Sequence, residues 1–166
     1  SSAAKEYLKV YGVLVGRSPL IFTNNDSGYE TAIEFKKNNI NPIILDTRKD
    51  PQSEIVNEAK NLGIDIKFSH VVVAAQGYKK VKSADIAKIS DDKEQLGIVE
   101  NIKCDCICVS GFWTPTIHLA SQSGNKTKFN EDIDAFVPGT SKQNEKTLGA
   151  ANAVSYTHLT LPTMFE

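Results

Sequence analysis

No apolar run in this sequence approaches the roughly 20 residues needed to cross a bilayer as a helix, and residues 1–13 lack the apolar core of a secretion signal. Membrane association is therefore not expected. Lysines, arginines and acids are interspersed, formal net charge is -1 and the sequence pI is about 6.3, so no basic block is available to neutralise a run of phosphates. Nucleic acid is not an expected partner either. Cysteine is scarce: Cys104, Cys106 and Cys108 are an odd set at alternate positions, with no C-x-x-C pair. This argues against a disulfide framework or a dithiol redox centre and suits a reducing, cytoplasmic compartment. Structural zinc uses C-x2-4-C pairs in turns plus further ligands, so no metal is expected, and the three thiols read as small apolar groups on one face of a buried strand.

What remains is an ordinary globular composition, 40% apolar and 23% charged, in 166 residues, enough for one domain or for one domain flanked by pieces of another. Residues 1–11 carry good helix formers with Leu8 and Tyr11 on a shared face, and read as the end of a longer helix. Pro19 to Phe22 is a short apolar strand, followed by a polar turn and an amphipathic helix from Gly28 to Asn38. Pro42 to Leu45 is apolar on successive residues, as in a parallel strand covered on both faces. A second helix, Ser53 to Leu62, stops at Gly63. Strand, helix, strand, helix opens a doubly wound α/β unit. Further strands are expected at Ile64 to Phe68 and His70 to Ala75, a small antiparallel layer around Lys80 to Ile89, and a buried strand ending at Ser110-Gly111.

The turn Thr23-Asn24-Asn25-Asp26-Ser27-Gly28 stands where a dinucleotide loop would place three glycines, and only the third, Gly28, is present. Asp46 lies 23 positions after Thr23, near where a carboxylate bonds a ribose hydroxyl, and Arg48 follows it. Two terms oppose pyrophosphate binding: Asn25 has a Cβ where close phosphate approach wants none, and Asp26 adds negative charge at the helix N-terminus. The same residues account for a turn without a ligand, in which Asp26 or Ser27 caps the helix.

Elsewhere, chemistry is thinly spread. His118, near the start of a helix begun at Thr114-Pro115, and His70 lack sequence neighbours that would make either a general base. Trp113 suits packing between domains better than stacking on a cofactor. Glu131, Asp132 and Asp134, like Asp91 and Asp92, read as solvated loops. No catalytic residue is assigned.

The segments YLKVYGV, FTNNDSGYETA, CVSGFWTPTIHLASQSGNK, FVPG and GAAN resemble the alpha subunit of heterotetrameric sarcosine oxidase. More broadly they resemble flavoproteins with two dinucleotide-binding domains, such as thioredoxin and disulfide reductases. The resemblance covers nearly all of residues 1–154, departing at Phe112 and Thr114, where a glycine and an asparagine are expected. It implies an α/β, Rossmann-like three-layer domain with a parallel sheet and a small antiparallel β-layer over 17–111. Residues 1–16 and 112–154 would be partial segments of a flanking FAD/NAD-type domain, whose first βαβ unit would lie before Ser1. It places cofactor contacts at Thr23, Asn24, Asn25, Asp26, Ser27, Gly28, Asp46, Ser110, Gly111, Gly149 and Ala150. It implies an oxidoreductase complex that demethylates sarcosine to glycine, passes the one-carbon unit to tetrahydrofolate and makes peroxide, with FAD and FMN in the complete assembly. The alpha subunit would hold NAD non-catalytically beside beta, gamma and delta subunits. Two other readings stand beside this one: a scaffolding module whose nucleotide site is vestigial, and an independent disulfide reductase domain, which the missing C-x-x-C disfavours. The tail VSYTHLTLPT resembles a translated cloning adaptor, and residues 155–166 are expected to be non-native.

Overall fold

Leu20, Ile21, Ile44 and Leu45 have no exposed surface, although they lie on successive positions of two strands. A strand points alternate side chains to opposite faces, so an unbroken apolar run is stable only where both faces are covered. The computed structural model, which describes residues 1–90, 96–111, 115–131, 135–144 and 146–152, provides that cover. The chain divides into two units, Ser1–Phe112 and Trp113–Glu166. Phe112, Trp113, Thr114, Asp91, Asp92, Asp132, Asp134 and the tail 155–166 lie outside the described residues.

In the first unit, β1 (Pro19–Thr23), β2 (Ile43–Asp46), β3 (Asp65–Phe68) and a later strand, Cys106–Ser110, form a parallel sheet in which β1 is central. Helices α1 (Ser2–Tyr11), α2 (Ser27–Lys37) and α3 (Glu54–Asn61) cover one face, closing a cluster that includes Ala4, Ile21, Tyr29, Phe35, Ile44 and Val56. On the other face Leu20 and Leu45 pack with Ala84, Ile86 and Cys104. That side is an antiparallel meander of β4 (His70–Gly77), β5 (Val81–Ile89) and β6 (Leu96–Lys103). The result is the expected three-layer α/β arrangement. Each fully buried Leu, Ile or Phe stabilises it by about 1.5–3 kcal/mol.

Local signals explain where elements stop. Gly12 ends α1 at φ 62, and Gly63 follows α3 at φ +67, both in the left-handed region that glycine enters without penalty. The helices α1 and α2 are tied at the surface by Lys5 and Glu30, 2.5 Å apart, and Lys9 and Glu34, 3.6 Å apart. Such exposed pairs add less than about 1 kcal/mol each. Between β3 and β4 the chain changes sheets at Ser69, φ 55, whose N–H donates to the Arg48 carbonyl at 3.0 Å.

The cysteine segment corrects the sequence reading. Cys104 lies after β6 and packs on the meander side, whereas Cys106 and Cys108 belong to β7 (Cys106–Ser110) and face the helices, their sulfurs 3.8 Å apart. The three do not share a face, because the chain crosses from one sheet to the other at Asp105. The Asp105 carboxylate accepts the N–H groups of Arg17 at 2.7 Å and Ser18 at 2.8 Å. Gly16 is required beside it: a Cβ there would sit 2.6 Å from Asp105 Oδ1.

The second unit contains the one-turn helix α4 (His118–Gln122), a hairpin of β8 (Thr127–Asn130) and β9 (Ala135–Pro138), and a 3-10 turn, Gly149–Asn152. Phe129 and Phe136 oppose each other across the hairpin edge to face, centroids 5.2 Å apart. Among the described residues no helix is long and apolar enough to cross a membrane.

Candidate functional site

In an open parallel sheet, ligands bind beyond the carboxyl ends of the strands, at the crevice where strand order reverses. Here β2 and β3 lie to one side of β1 and β7 to the other, so that crevice falls between the ends of β1 and β7. The turn at 23–28 and the pair Ser110-Gly111 border it.

Thr23 ends β1 with 2% exposure and shapes the turn itself: its hydroxyl donates to the Asn25 carbonyl at 2.8 Å and accepts the Asn25 N–H at 3.2 Å. Its bulk fills the space that the first glycine of a dinucleotide loop would leave. The consequence appears at Gly28, where a Cβ would lie 2.6 Å from Thr23 Cβ. Gly28 survives because α2 can cross β1 at this distance only without a side chain.

Asn25 makes the most contacts in the turn. Its Oδ1 accepts the Ser27 N–H at 3.0 Å and the Ser27 hydroxyl at 2.6 Å, while its Nδ2 donates to Asn24 Oδ1 at 3.1 Å and to the Gly111 carbonyl. The Ser27 and Ser110 hydroxyl oxygens are 2.6 Å apart. The Ser110 hydroxyl also lies 3.4 Å from Asn25 Oδ1, so the three side chains form one hydrogen-bonded cluster. The Asn24 N–H reaches the Ser110 carbonyl at 3.4 Å. The expectation that Asp26 or Ser27 caps α2 is thus corrected. Asp26 stands at the N-cap position without a side-chain cap bond, and Asn25 satisfies the Ser27 N–H instead.

Asp26 is drawn away by Arg48, whose Nη1 lies 2.8 Å from Asp26 Oδ1. The same guanidinium grips Asp46 on its other side, with Nη2 2.9 Å from Oδ2 and Nε 3.1 Å from Oδ1. Asp46 has no exposed surface and also accepts the Arg48 backbone N–H at 2.9 Å and the Tyr29 hydroxyl at 2.6 Å. Both carboxylate oxygens are therefore occupied from within the chain. Burial raises the Tyr29 pKa well above the usual phenol range, and the adjacent Asp46 carboxylate adds to the rise. Burial alone would lower that of Arg48, but its bonds to Asp46 and Asp26 outweigh this and hold it above its ordinary value.

In the second unit, Gly149 takes φ +61 and the Ala150 carbonyl accepts the Thr116 N–H at 3.4 Å. Their neighbours Leu148 and Asn152 line a cavity of about 280 Å³ together with Asn125, Gly139, Ser141 and Lys146. Asn125 is buried and accepts the Lys142 N–H at 2.9 Å. His118 is exposed in the first turn of α4. His70 is tied through Nδ1 to the Phe68 carbonyl at 2.6 Å, a structural bond.

Of the residues singled out from sequence, Thr23 to Gly28, Asp46, Ser110 and Gly111 come together at one crest. Gly149 and Ala150 lie in the other unit. Tyr29 was missed as a polar participant, since its position on α2 marks it as apolar; its place directly after Gly28 and opposite a strand-end acid was the available signal. Among the described residues no group of three or more His, Cys, Asp or Glu could hold a metal.

No protein-family profile matches the chain. It is 28% identical over 165 residues to sarcosine oxidase subunit alpha of Corynebacterium sp. (strain P-1), covering 98% of this chain and 17% of that protein. It is 31% identical over 153 residues to the subunit of the same name from Rhizobium meliloti (strain 1021), covering 91% of this chain and 14% of that one. The chain thus spans about a sixth of the length of these relatives. Among solved structures it is similar to a bacillithiol disulfide reductase from Staphylococcus aureus, with a TM-score of 0.59 and 18% identity over 76% of this chain and 38% of that one. It is also similar to the thioredoxin reductase of T. acidophilum, with a TM-score of 0.58 and 17% identity over 82% of this chain and 47% of that one. The resemblance carried by the sequence motifs holds, and the fold is the Rossmann-like α/β fold of these reductases.

Proposed function

We propose that the chain is a segment of the alpha subunit of a sarcosine oxidase-type oxidoreductase and acts there as an assembly and nucleotide-type component, away from the amine-oxidising centre. The complete enzyme would demethylate sarcosine to glycine, transfer the one-carbon unit to tetrahydrofolate and form peroxide. In this reading residues 17–111 are an inserted domain, 1–16 and 112–154 belong to the flanking one, and beta, gamma and delta subunits are its partners. A cytoplasmic setting goes with three free thiols.

The observation that carries this reading is the state of the crest in a chain so similar to alpha subunits. Its residues do not fit a dinucleotide. Asp46 has no oxygen left for a ribose hydroxyl, Asp26 brings negative charge to the N-terminus of α2, and Asn25 lies where a pyrophosphate needs bare backbone. No reaction step is derived from this site. The NAD expected of the intact subunit would be held elsewhere; among the described residues, the cavity lined by Lys146 and adjoining Gly149 and Ala150 would offer a place for a phosphate contact. There NAD would contribute binding and order rather than hydride transfer, while amine oxidation by FAD, and FMN at a subunit boundary, belong to the complete assembly.

The second reading, a scaffolding domain with a vestigial nucleotide site, is favoured by the same closed crest. Both readings expect no sarcosine-dependent peroxide release from the chain alone. The purified chain is expected to give none with or without added FAD, and turnover by the chain without partner subunits would overturn the proposal.

A further inference from the structure

The crevice between the ends of β1 and β7 is closed by the chain itself. Asn25 reaches from the β1 turn to the Gly111 carbonyl, the Ser110 and Ser27 hydroxyls share a hydrogen bond at 2.6 Å, and the Asn24 N–H meets the Ser110 carbonyl at 3.4 Å. One step further along the crest, Arg48 spans Asp26 and Asp46 at 2.8 and 2.9 Å. These contacts take up the chemical roles a bound dinucleotide would play: an acceptor for the turn's donors, a partner for the strand-end acid, and a charge at the start of α2.

We infer that the crest is an internal clasp, in which Asn25, Ser110 and Arg48 replace a nucleotide and fix β1, β2 and β7 to α2 without any ligand. This deepens the scaffold reading and rests on it for the crest alone, not on the identity of the oxidised amine. Two features support a built clasp over an eroded site. Both substituted glycine positions have a partner, Thr23 bonding Asn25 and Asn25 bonding Gly111, and the neighbouring Asp26 is ion-paired with Arg48. The buried Asp46 carboxylate, expensive to hold in a low-dielectric interior, is compensated by Arg48 and Tyr29 rather than left for a ligand to satisfy.

The test uses amide NMR spectra of the full chain during NADH titration to 1 mM. The expected result is that the amides of Asn25, Ser27, Gly28 and Ser110 do not move, whatever happens at Gly149 and Ala150. The double variant Asn25→Gly/Asp26→Ala opens the crevice and releases one side of Arg48, and its Ser27 and Gly28 amides are expected to shift saturably, with a midpoint at least tenfold below 1 mM. Saturable shifts at the wild-type crest would overturn the inference. So would a folded double variant that stays silent, since those side chains would then not be what excludes the nucleotide. If the double variant loses its dispersed spectrum, Asn25→Gly alone carries the same two outcomes. A sarcosine oxidation result, positive or negative, does not move these amides, so the clasp and the assignment to an amine-oxidising complex fail separately.

Discussion

The Tyr29 hydroxyl lies 2.6 Å from an Asp46 carboxylate that has no exposure to solvent, so the first turn of α2 is bolted to the end of β2 by a hydrogen bond inside the core. A donor to a buried charge cannot be replaced by water there. Tyr29→Phe is expected to destabilise the chain by about 1–3 kcal/mol, with urea unfolding showing an earlier midpoint at unchanged slope. Arg48→Ala should cost about 3 kcal/mol, the low end for breaking a buried pair because Arg48 is one-third exposed. Arg48→Lys should recover only part of this, since an ammonium cannot bridge Asp26 and Asp46 as a fork.

Gly28 and Thr23 form a second coupled pair. Gly28→Ala ordinarily favours a helix by about 1 kcal/mol, but here the new Cβ meets Thr23 Cβ at 2.6 Å, and overpacking of this kind costs about 1–3 kcal/mol. The single variant should therefore be less stable than wild type. Adding Thr23→Gly removes the obstacle, and thermal melts of the four proteins in the cycle should give a favourable coupling of about 1 kcal/mol or more.

Asp105 sets a pH dependence. Burial pushes its pKa up, but the N–H groups of Arg17 and Ser18 outweigh this, and the net shift is below the ordinary aspartate value of 3.8. A folded-state pKa below the unfolded one gives stability that is present at neutral pH and lost as pH falls from about 4 through the folded value. Asp105→Asn should lower stability at pH 7 and flatten its decline below pH 4, as measured by chemical denaturation across that range.

Cys104 and Cys108 should be poor nucleophiles in the folded chain. Burial pushes Cys108 up to about 12, with neighbouring Cys106 adding to the rise, and burial also raises Cys104. Thiolate is the reactive species. Mass spectrometry after maleimide labelling at pH 8 should find Cys104 and Cys108 unmodified until denaturant is added.

Much of the layered fold was legible in the sequence because two physical signals agree. Successive apolar residues at 20–22 and 43–45 require cover on both faces, and the 3.6-residue spacing of Tyr29, Ala32, Ile33 and Phe35 supplies one of the covers. The crossing at Asp105 was not legible, since alternate cysteines read as a single continuous strand and only the long-range bonds to Arg17 and Ser18 break it. At the crest, the crowding of the turn by Asn25 and Asp26 was readable from residue types. Its repair was not: the Arg48 fork, the Asn25 bridge to Gly111 and the Tyr29 bond join residues whose meeting depends on tertiary packing.

The strand order has a consequence for how the chain is made. β1 lies at the centre of its sheet, yet its neighbour on one side, β7, begins 87 residues after the start of β1, with Pro19 beside Cys106. During synthesis β1, β2 and β3 can assemble early, but one hydrogen-bonding flank of β1 stays open until Ser110 has left the ribosome. An interrupted translation product would therefore present a bare, apolar strand border, the kind that recruits chaperones or self-associates.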